Sequence, residues 1–416
     1  MATTISSLLS GPPAVLGGTP AFPKGLPFVR PTIPPEDAVL GRIKHVLATG
    51  VLTNGPFVRE LEERTADYLG VRHCIAVSSC TAGLMLVLRA AGLSGDVVLP
   101  SFTFAATAHA AAWNQLRPVF ADVDRDTLTL SPSAAGAATG VRASAILATH
   151  TFGTPCDTEG LTRAARTNGL KLFFDAAHAF GSRRAGTPVG RFGDAEVFSL
   201  SPTKVLVAAE GGIISTDDDL LAERCRMGRD YANPGDYDCR FVGLNARMSE
   251  VHAAIALASL EGLDERIDRR NQLAGWYREA LRELPGIGFP MVREGDRTTF
   301  KDFTVLIEPE EFGVDASELA RALGAEGIQT RRYYTPPVHA MQAYRWVTGS
   351  NGGLPVTEWA SARVITLPLW GFMTEDHISG VVSAIARICR FLGAMKLRPD
   401  GAEKIRPPAE ETTPTD

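Results

Sequence analysis

Leu170-Lys171-Leu172-Phe173-Phe174-Asp175-Ala176-Ala177-His178-Ala179-Phe180-Gly181 is the stretch from which the fold can be read. Its opening run is apolar apart from Lys171, as expected of a strand buried on both faces. Asp175 ends that run, and open α/β sheets hold their ligands beyond the carboxyl ends of their strands. The pattern then recurs. Glu196-Val197-Phe198-Ser199-Leu200 reads as a second strand, and Ser201-Pro202-Thr203-Lys204 follows at once. After Lys204 come Val205, Leu206, Val207, Ala208 and Ala209, so the amine has apolar neighbours. Burial disfavours an ammonium and lowers its pKa, which lets a lysine attack a carbonyl.

Taken singly, each residue has a plainer reading: an Asp after a strand is commonly a cap or turn residue, and a Lys is commonly solvated. Together they match what pyridoxal phosphate requires, a lysine for a Schiff base and an acid that keeps the ring nitrogen protonated. Outward from this pair the chain alternates. Strands are expected over 73–78, 96–100, 118–122, 145–150 and 211–216 besides the two just quoted, with helices over 35–47, 56–69, 81–90, 158–168 and 220–231. Such alternation implies a mostly parallel sheet with right-handed crossovers. A long helix over 250–274 then leads into a smaller region with strands over 303–307 and 328–333 and helices over 316–326 and 375–392. The fold class is therefore α/β: a large domain with a seven-stranded sheet flanked by helices, plus a smaller C-terminal α/β domain.

Ser78-Ser79-Cys80-Thr81 is a strand-to-helix turn rich in hydroxyls. A helix N-terminus presents free backbone N–H groups and a positive dipole end, which favours a phosphate, although a simple Ser/Thr cap accounts for the same residues. A nicotinamide enzyme would need Gly-x-Gly-x-x-Gly here, and Ser78-Ser79-Cys80-Thr81-Ala82-Gly83 does not supply it.

These segments resemble the DegT/DnrJ/EryC1/StrS aminotransferase family, the sugar-aminotransferase branch of the fold-type-I (aspartate aminotransferase-like) pyridoxal-phosphate enzymes. The resemblance runs from about Leu26 to about Leu392. It rests on the Asp175 and Lys204 stretches, Gly50-Val51-Leu52-Thr53-Asn54-Gly55-Pro56, Glu210-Gly211-Gly212, Gly243-Leu244-Asn245-Ala246-Arg247-Met248-Ser249-Glu250, Tyr333-Tyr334-Thr335-Pro336-Pro337-Val338-His339 and Leu367-Pro368-Leu369-Trp370. It implies that Lys204 carries the cofactor and moves the proton, that Asp175 pairs with the ring nitrogen, and that His178 bonds the ring's 3-oxygen. It puts the phosphate on Thr81, the amide of Ala82 and Ser199, stacks Phe104 on the pyridine face, and brings Asn245 across a homodimer interface to the neighbour's phosphate. Thr53, Tyr334 and His339 fall at the substrate end. Where the family has Gly, this chain has Cys80. The implied reaction moves an amino group, glutamate's in most relatives, to a keto sugar on a nucleoside diphosphate. The segments 298–303 and 327–334 look most like members that aminate C4 of a 4-keto-6-deoxyhexose. Cyclitol, 3-keto-sugar and aminobenzoate-forming members share the lysine and stay open, as does a non-catalytic, cofactor-binding sensor. The dehydratase branch replaces the lysine with His, so Lys204 argues against it.

Composition excludes other classes. The 416 residues carry a net charge of −5 with no basic block, so neither nucleic acid nor an anionic membrane is an expected partner. Six cysteines form no CxxC pair, which suggests no metal site and fits reduced thiols in a cytoplasmic protein. No apolar run approaches the roughly 20 residues of a membrane span. Expected boundaries are a flexible tail over 1–25, the large domain over 26–255, the small domain over 256–397 and a disordered tail over 398–416.

Overall fold

The computed structural model describes residues 11–347 and 353–396. Seven strands form the central sheet: β1 (His73–Val77), β2 (Asp96–Pro100), β3 (Arg117–Ala121), β4 (Ala143–Thr149), β5 (Lys171–Asp175), β8 (Ala195–Ser199) and β9 (Gly212–Thr216). A two-residue hairpin, β6 (Arg183–Arg184) with β7 (Thr187–Pro188), lies between β5 and β8. The sheet order is β1-β9-β8-β5-β4-β2-β3, parallel throughout except that β9 runs against both its neighbours. The reason is the connection before it. Residues 200–211 contain no helical crossover, and they close on themselves where Ala208 N–H donates to Leu200 O at 2.8 Å and Leu200 N–H to Gly211 O at 2.9 Å. A connection that returns directly can only deliver an antiparallel strand. Lys204 sits in this closed loop, at the carboxyl edge of β8.

Helices Cys80–Ala90, Ala105–Trp113 and Asp219–Gly228 pack one face of the sheet through Ile75, Leu84, Leu86, Val97, Leu99 and Ile214, all fully or nearly fully buried. A second three-stranded antiparallel sheet, β10 (Ile287–Gly288), β11 (Phe303–Ile307) and β12 (Val364–Leu367), forms the C-terminal core with helices Ala316–Ala325 and Glu375–Lys396.

Several expectations need correction. The helix expected over 250–274 is two helices, Glu250–Leu260 and Leu263–Leu281, because Gly262 adopts φ +66° between them. That left-handed conformation suits glycine and ends a helix. The boundary between cores also falls later than 255: Leu257, Leu260, Leu263 and Ile267 bury against the large sheet's elements, whereas Leu273, Tyr277 and Leu281 join the C-terminal core. The strand expected over 328–333 does not form. Its pairing is split, with Gln329 N–H donating to Leu26 O on one side and Arg331 exchanging hydrogen bonds with Thr366 of β12 on the other. The helix expected over 220–231 stops at Gly228, and Tyr231 and Ala232 have positive φ.

Residues 11–25, expected to be a flexible tail, are fastened to the C-terminal core. The buried carboxylate of Glu326 accepts the N–H groups of Ala14 and Ala21 at 2.9 Å each and pairs with Arg387, which also donates to Thr19 O. Val15, Ala21 and Phe22 add apolar contact. A buried ion pair left without these partners would be costly, so the segment and the pair hold one another in place. Residues 1–10 and the tail expected over 398–416 lie outside the described residues.

Candidate active site

A cavity of about 310 Å³ opens at the carboxyl edge of β5 and β8. Asp175, the last residue of β5, is 4% exposed there. Its Oδ2 accepts the Thr107 hydroxyl at 2.7 Å and its Oδ1 the Ala177 N–H at 3.1 Å. Thr107 is steadied by a run of buried hydroxyls through Thr103 to Thr149. Burial raises the Asp175 carboxyl above its usual range, opposed by Thr107, Ala177 N–H and the Lys204 charge. A cation set against it would favour the carboxylate.

Lys204 faces the same cavity; its backbone N–H donates to Ser201 O at 3.0 Å, while its amine has no hydrogen-bond or ion-pair partner among the described residues. Burial, and then the charge of Lys301, depress its amine to about 8. His178 follows Asp175 into the wall. Its Nδ1 is buried without a hydrogen bond, 3.7 Å from Asp302 Oδ2. Burial, then Lys204 and Lys301, push its pKa well below the ordinary value, so the imidazole is neutral.

The strand-to-helix turn behaves as a cap and as a cradle. Ser79 N-caps helix Cys80–Ala90, its hydroxyl accepting the Ala82 N–H at 3.1 Å. Ala82 therefore does not line the cavity. Its amide is engaged, while Cys80 and Thr81 sit ahead of it at the helix start, where backbone N–H groups lack intrahelical partners. Thr81 and Ser199 both present hydroxyls to the cavity. Gly212 lets β9 pass this turn: a Cβ there would lie 2.7 Å from Cys80 N and Ser79 C. Cys80 Sγ packs 3.6 Å from Val197 O, and burial keeps it a thiol. Phe104, unlike the fully buried Phe102, stands 61% exposed at the cavity wall. Tyr334 closes the cavity from the C-terminal side. On the other flank of Lys204, Val29, Arg30, Pro31 and Thr32 border a small cleft with Thr203 and Val205.

Besides Ala82, the expected substrate residues His339 and Thr53 are not brought to this cavity, and neither is Asn245, which was expected at the neighbour's. His339 Nδ1 shares a hydrogen bond with the Ser101 hydroxyl, 2.7 Å away, while the backbone N–H of His339 donates to the same oxygen. Thr53 is exposed and bridges to Ser249, and Asn245 is exposed beside Asp230. Conversely, Thr107 lay outside every segment singled out in the sequence, and Lys301, Glu210 and Tyr333 lay inside such segments without being named as site residues. Thr107 carried no signal. Lys301-Asp302 did carry one, a charged pair set between Phe300 and Phe303.

These residues fit pyridoxal phosphate. An unpartnered lysine, a buried carboxylate, an orphaned imidazole nitrogen, an exposed ring and a hydroxyl-lined helix start converge on one space. Fold and residues together define an aminotransferase of fold type I. A family model, the DegT/DnrJ/EryC1/StrS aminotransferase family, matches residues 36–386. The chain is 32% identical over 381 residues to the spore coat polysaccharide biosynthesis protein SpsC of Bacillus subtilis (strain 168), covering 88% of this chain and 97% of that one. It superimposes on the crystal structure of DesI in the presence of its TDP-sugar product with a TM-score of 0.88 and 39% identity, over 92% of this chain and 98% of that one. It matches DesV of S. venezuelae, solved in complex with a ketimine intermediate, with a TM-score of 0.78 and 32% identity, over 88% and 95%. The chain belongs to the DegT/DnrJ/EryC1/StrS aminotransferase family, whose members depend on pyridoxal phosphate.

Proposed function

We propose that the protein transfers an amino group from an amino-acid donor, glutamate in our reading, to C4 of a 4-keto-6-deoxyhexose carried on a nucleoside diphosphate. The carrying observation is the convergence of Lys204 and Asp175 on one cavity. DesI, at 39% identity and with a TDP-sugar product, supports the substrate class. Lys301, Tyr333 and Tyr334, from the segments that suggest C4 amination, lie on the cavity wall. The reaction serves amino-sugar formation for an antibiotic or a glycoconjugate.

Pyridoxal phosphate, when bound, supplies an aldehyde and an electron-accepting ring. Lys204 would hold it and, once displaced by the donor, move a proton between the donor's Cα and the cofactor, which needs the free amine that burial favours. Asp175 would hold the ring nitrogen's proton, His178 would orient the 3-oxygen, and Thr81 and Ser199 would bind the phosphate. Phe104 would exclude water from one ring face. Asn245, remote from its own cavity, would reach the partner's phosphate in a homodimer. Six free cysteines agree with a cytoplasmic enzyme, and among the described residues no helix is long and apolar enough to cross a membrane.

The deciding experiment is the visible spectrum of the purified protein with glutamate, followed by mass analysis after adding a TDP-linked 4-keto-6-deoxyhexose. A yellow band that fades with glutamate and returns with the sugar, with the mass of an amino sugar, is expected. A band that no amino acid changes would overturn the reading.

A further inference from the structure

One cavity that serves both halves of an amino transfer faces a charge problem. The donor brings an α-carboxylate beside its reacting carbon, whereas the acceptor sugar brings only hydroxyls and a carbonyl to that place. A cation provided for the first would be left buried and unpaired by the second, which is costly.

Among the described residues lining the cavity, Lys204 and Lys301 are the cationic side chains. Lys204 is committed to the reacting centre. Lys301 is 6% exposed, and its Nζ lies 2.7 Å from Asp302 Oδ1. An ammonium has three donors, so one bond to Asp302 leaves two for a ligand. Asp302 is 3% exposed, and its Oδ2 makes no hydrogen bond. Behind the pair, Arg270 donates to the carbonyls of Phe300, Lys301 and Leu369, which fixes the backbone and occupies the guanidinium. His178, neutral, brings no competing charge. Glu210 and Asp175, the remaining carboxylates on the wall, would repel an anion placed on their sides.

We infer that Lys301 receives the α-carboxylate of the amino donor, and that Asp302 is its permanent counter-ion, keeping the lysine compensated when the uncharged sugar takes the donor's place. The inference rests on the aminotransferase reading above. The pair is a switch of partners: Lys301 shares its charge between Asp302 and the donor in one half-reaction and returns it to Asp302 in the other.

The test is a binding titration of the cofactor-loaded enzyme with α-methylglutamate, which cannot lose an α-proton, followed by the shift of the visible band. Alongside it, the amine-loaded enzyme is mixed with the keto-sugar nucleotide in a single turnover. Lys301→Gln should raise the half-saturation for α-methylglutamate about tenfold or more, the loss expected of a charge-assisted hydrogen bond. Half-saturation for the sugar should stay within about threefold, since no charge is removed from its contacts. Lys301→Arg should recover part of the donor affinity. Asp302→Asn should act with opposite signs, tightening the analogue and weakening the sugar, a pattern that a merely structural role would not give. Equal binding of the analogue by Lys301→Gln, or parallel weakening of both ligands in either variant, would overturn the inference. A wild-type band that no amino acid perturbs would instead sink the aminotransferase reading itself.

Discussion

The proposed reaction depends most directly on Lys204. Lys204→Ala should abolish turnover, while the Thr81 and Ser199 contacts still retain some cofactor. Steady-state rates, with cofactor content measured on the same sample, check this, and turnover at the wild-type rate would refute the role. Its amine, depressed to about 8, also sets a pH dependence. Below that value the amine is protonated and cannot attack an aldehyde; above it the amine is free. Growth of the visible band after adding pyridoxal phosphate to cofactor-free protein should therefore speed up as pH rises through about 8 and level off beyond it. A rate still climbing toward pH 10 would mean an ordinary lysine. Asp175→Asn keeps the shape but removes the charge that holds a ring proton, and should cost about 10²-fold or more in turnover; near-wild-type rates would count against the pairing. Both residues were legible in the sequence because each lies at or within a few residues of the end of a short apolar run, so position along the chain nearly fixes position in the sheet. Thr107 was not, and Lys301 was marked only as a charged pair between two phenylalanines. Thr107 bonds Asp175 from the helix Ala105–Trp113 and Lys301 reaches the cavity from the C-terminal part of the chain, and nothing local shows that the two meet at one site.

At the level of elements, Glu250 ties two segments together. Its buried carboxylate accepts the N–H groups of Gly55, Phe57 and Val58 at 2.8–2.9 Å, satisfying the start of helix Pro56–Leu69. An anion at a helix N-terminus is favourable, and these amides have no intrahelical partner. Glu250→Ala should lower stability by on the order of 3 kcal/mol, visible as an earlier midpoint in a thermal or urea melt; an unchanged midpoint would show that water replaces the carboxylate. Long helices and central strands were readable from the sequence because their burial repeats with a fixed period. The break at Gly262 and the split pairing of residues 328–331 were not, since one depends on a single backbone angle and the other on Leu26, far away in sequence.

On the scale of the whole molecule, Asn245 is exposed and apart from its own cavity, whereas Ala246 pairs with Ser78 at the strand end beside the cradle. If Asn245 completes a neighbour's site, the active unit is a dimer. Asn245→Ala should then weaken cofactor retention, and mixing it with Lys204→Ala should recover activity, because each hybrid dimer holds one intact site. About half of a random mixture is hybrid, so roughly a quarter of wild-type sites return. No recovery on mixing, or an active monomer in sedimentation, would contradict the shared site.

The segment 11–32 is anchored through Glu326 and Arg387 to the C-terminal core, and its last residues flank Lys204 before the helix Glu36–Thr49 begins. The match to the family model starts at residue 36, downstream of all of this. Anyone trimming the gene to the span of the family model would cut away a strap buckled to one part of the protein and bordering Lys204 in the other. The bounds of a family model are not the bounds of the folded core.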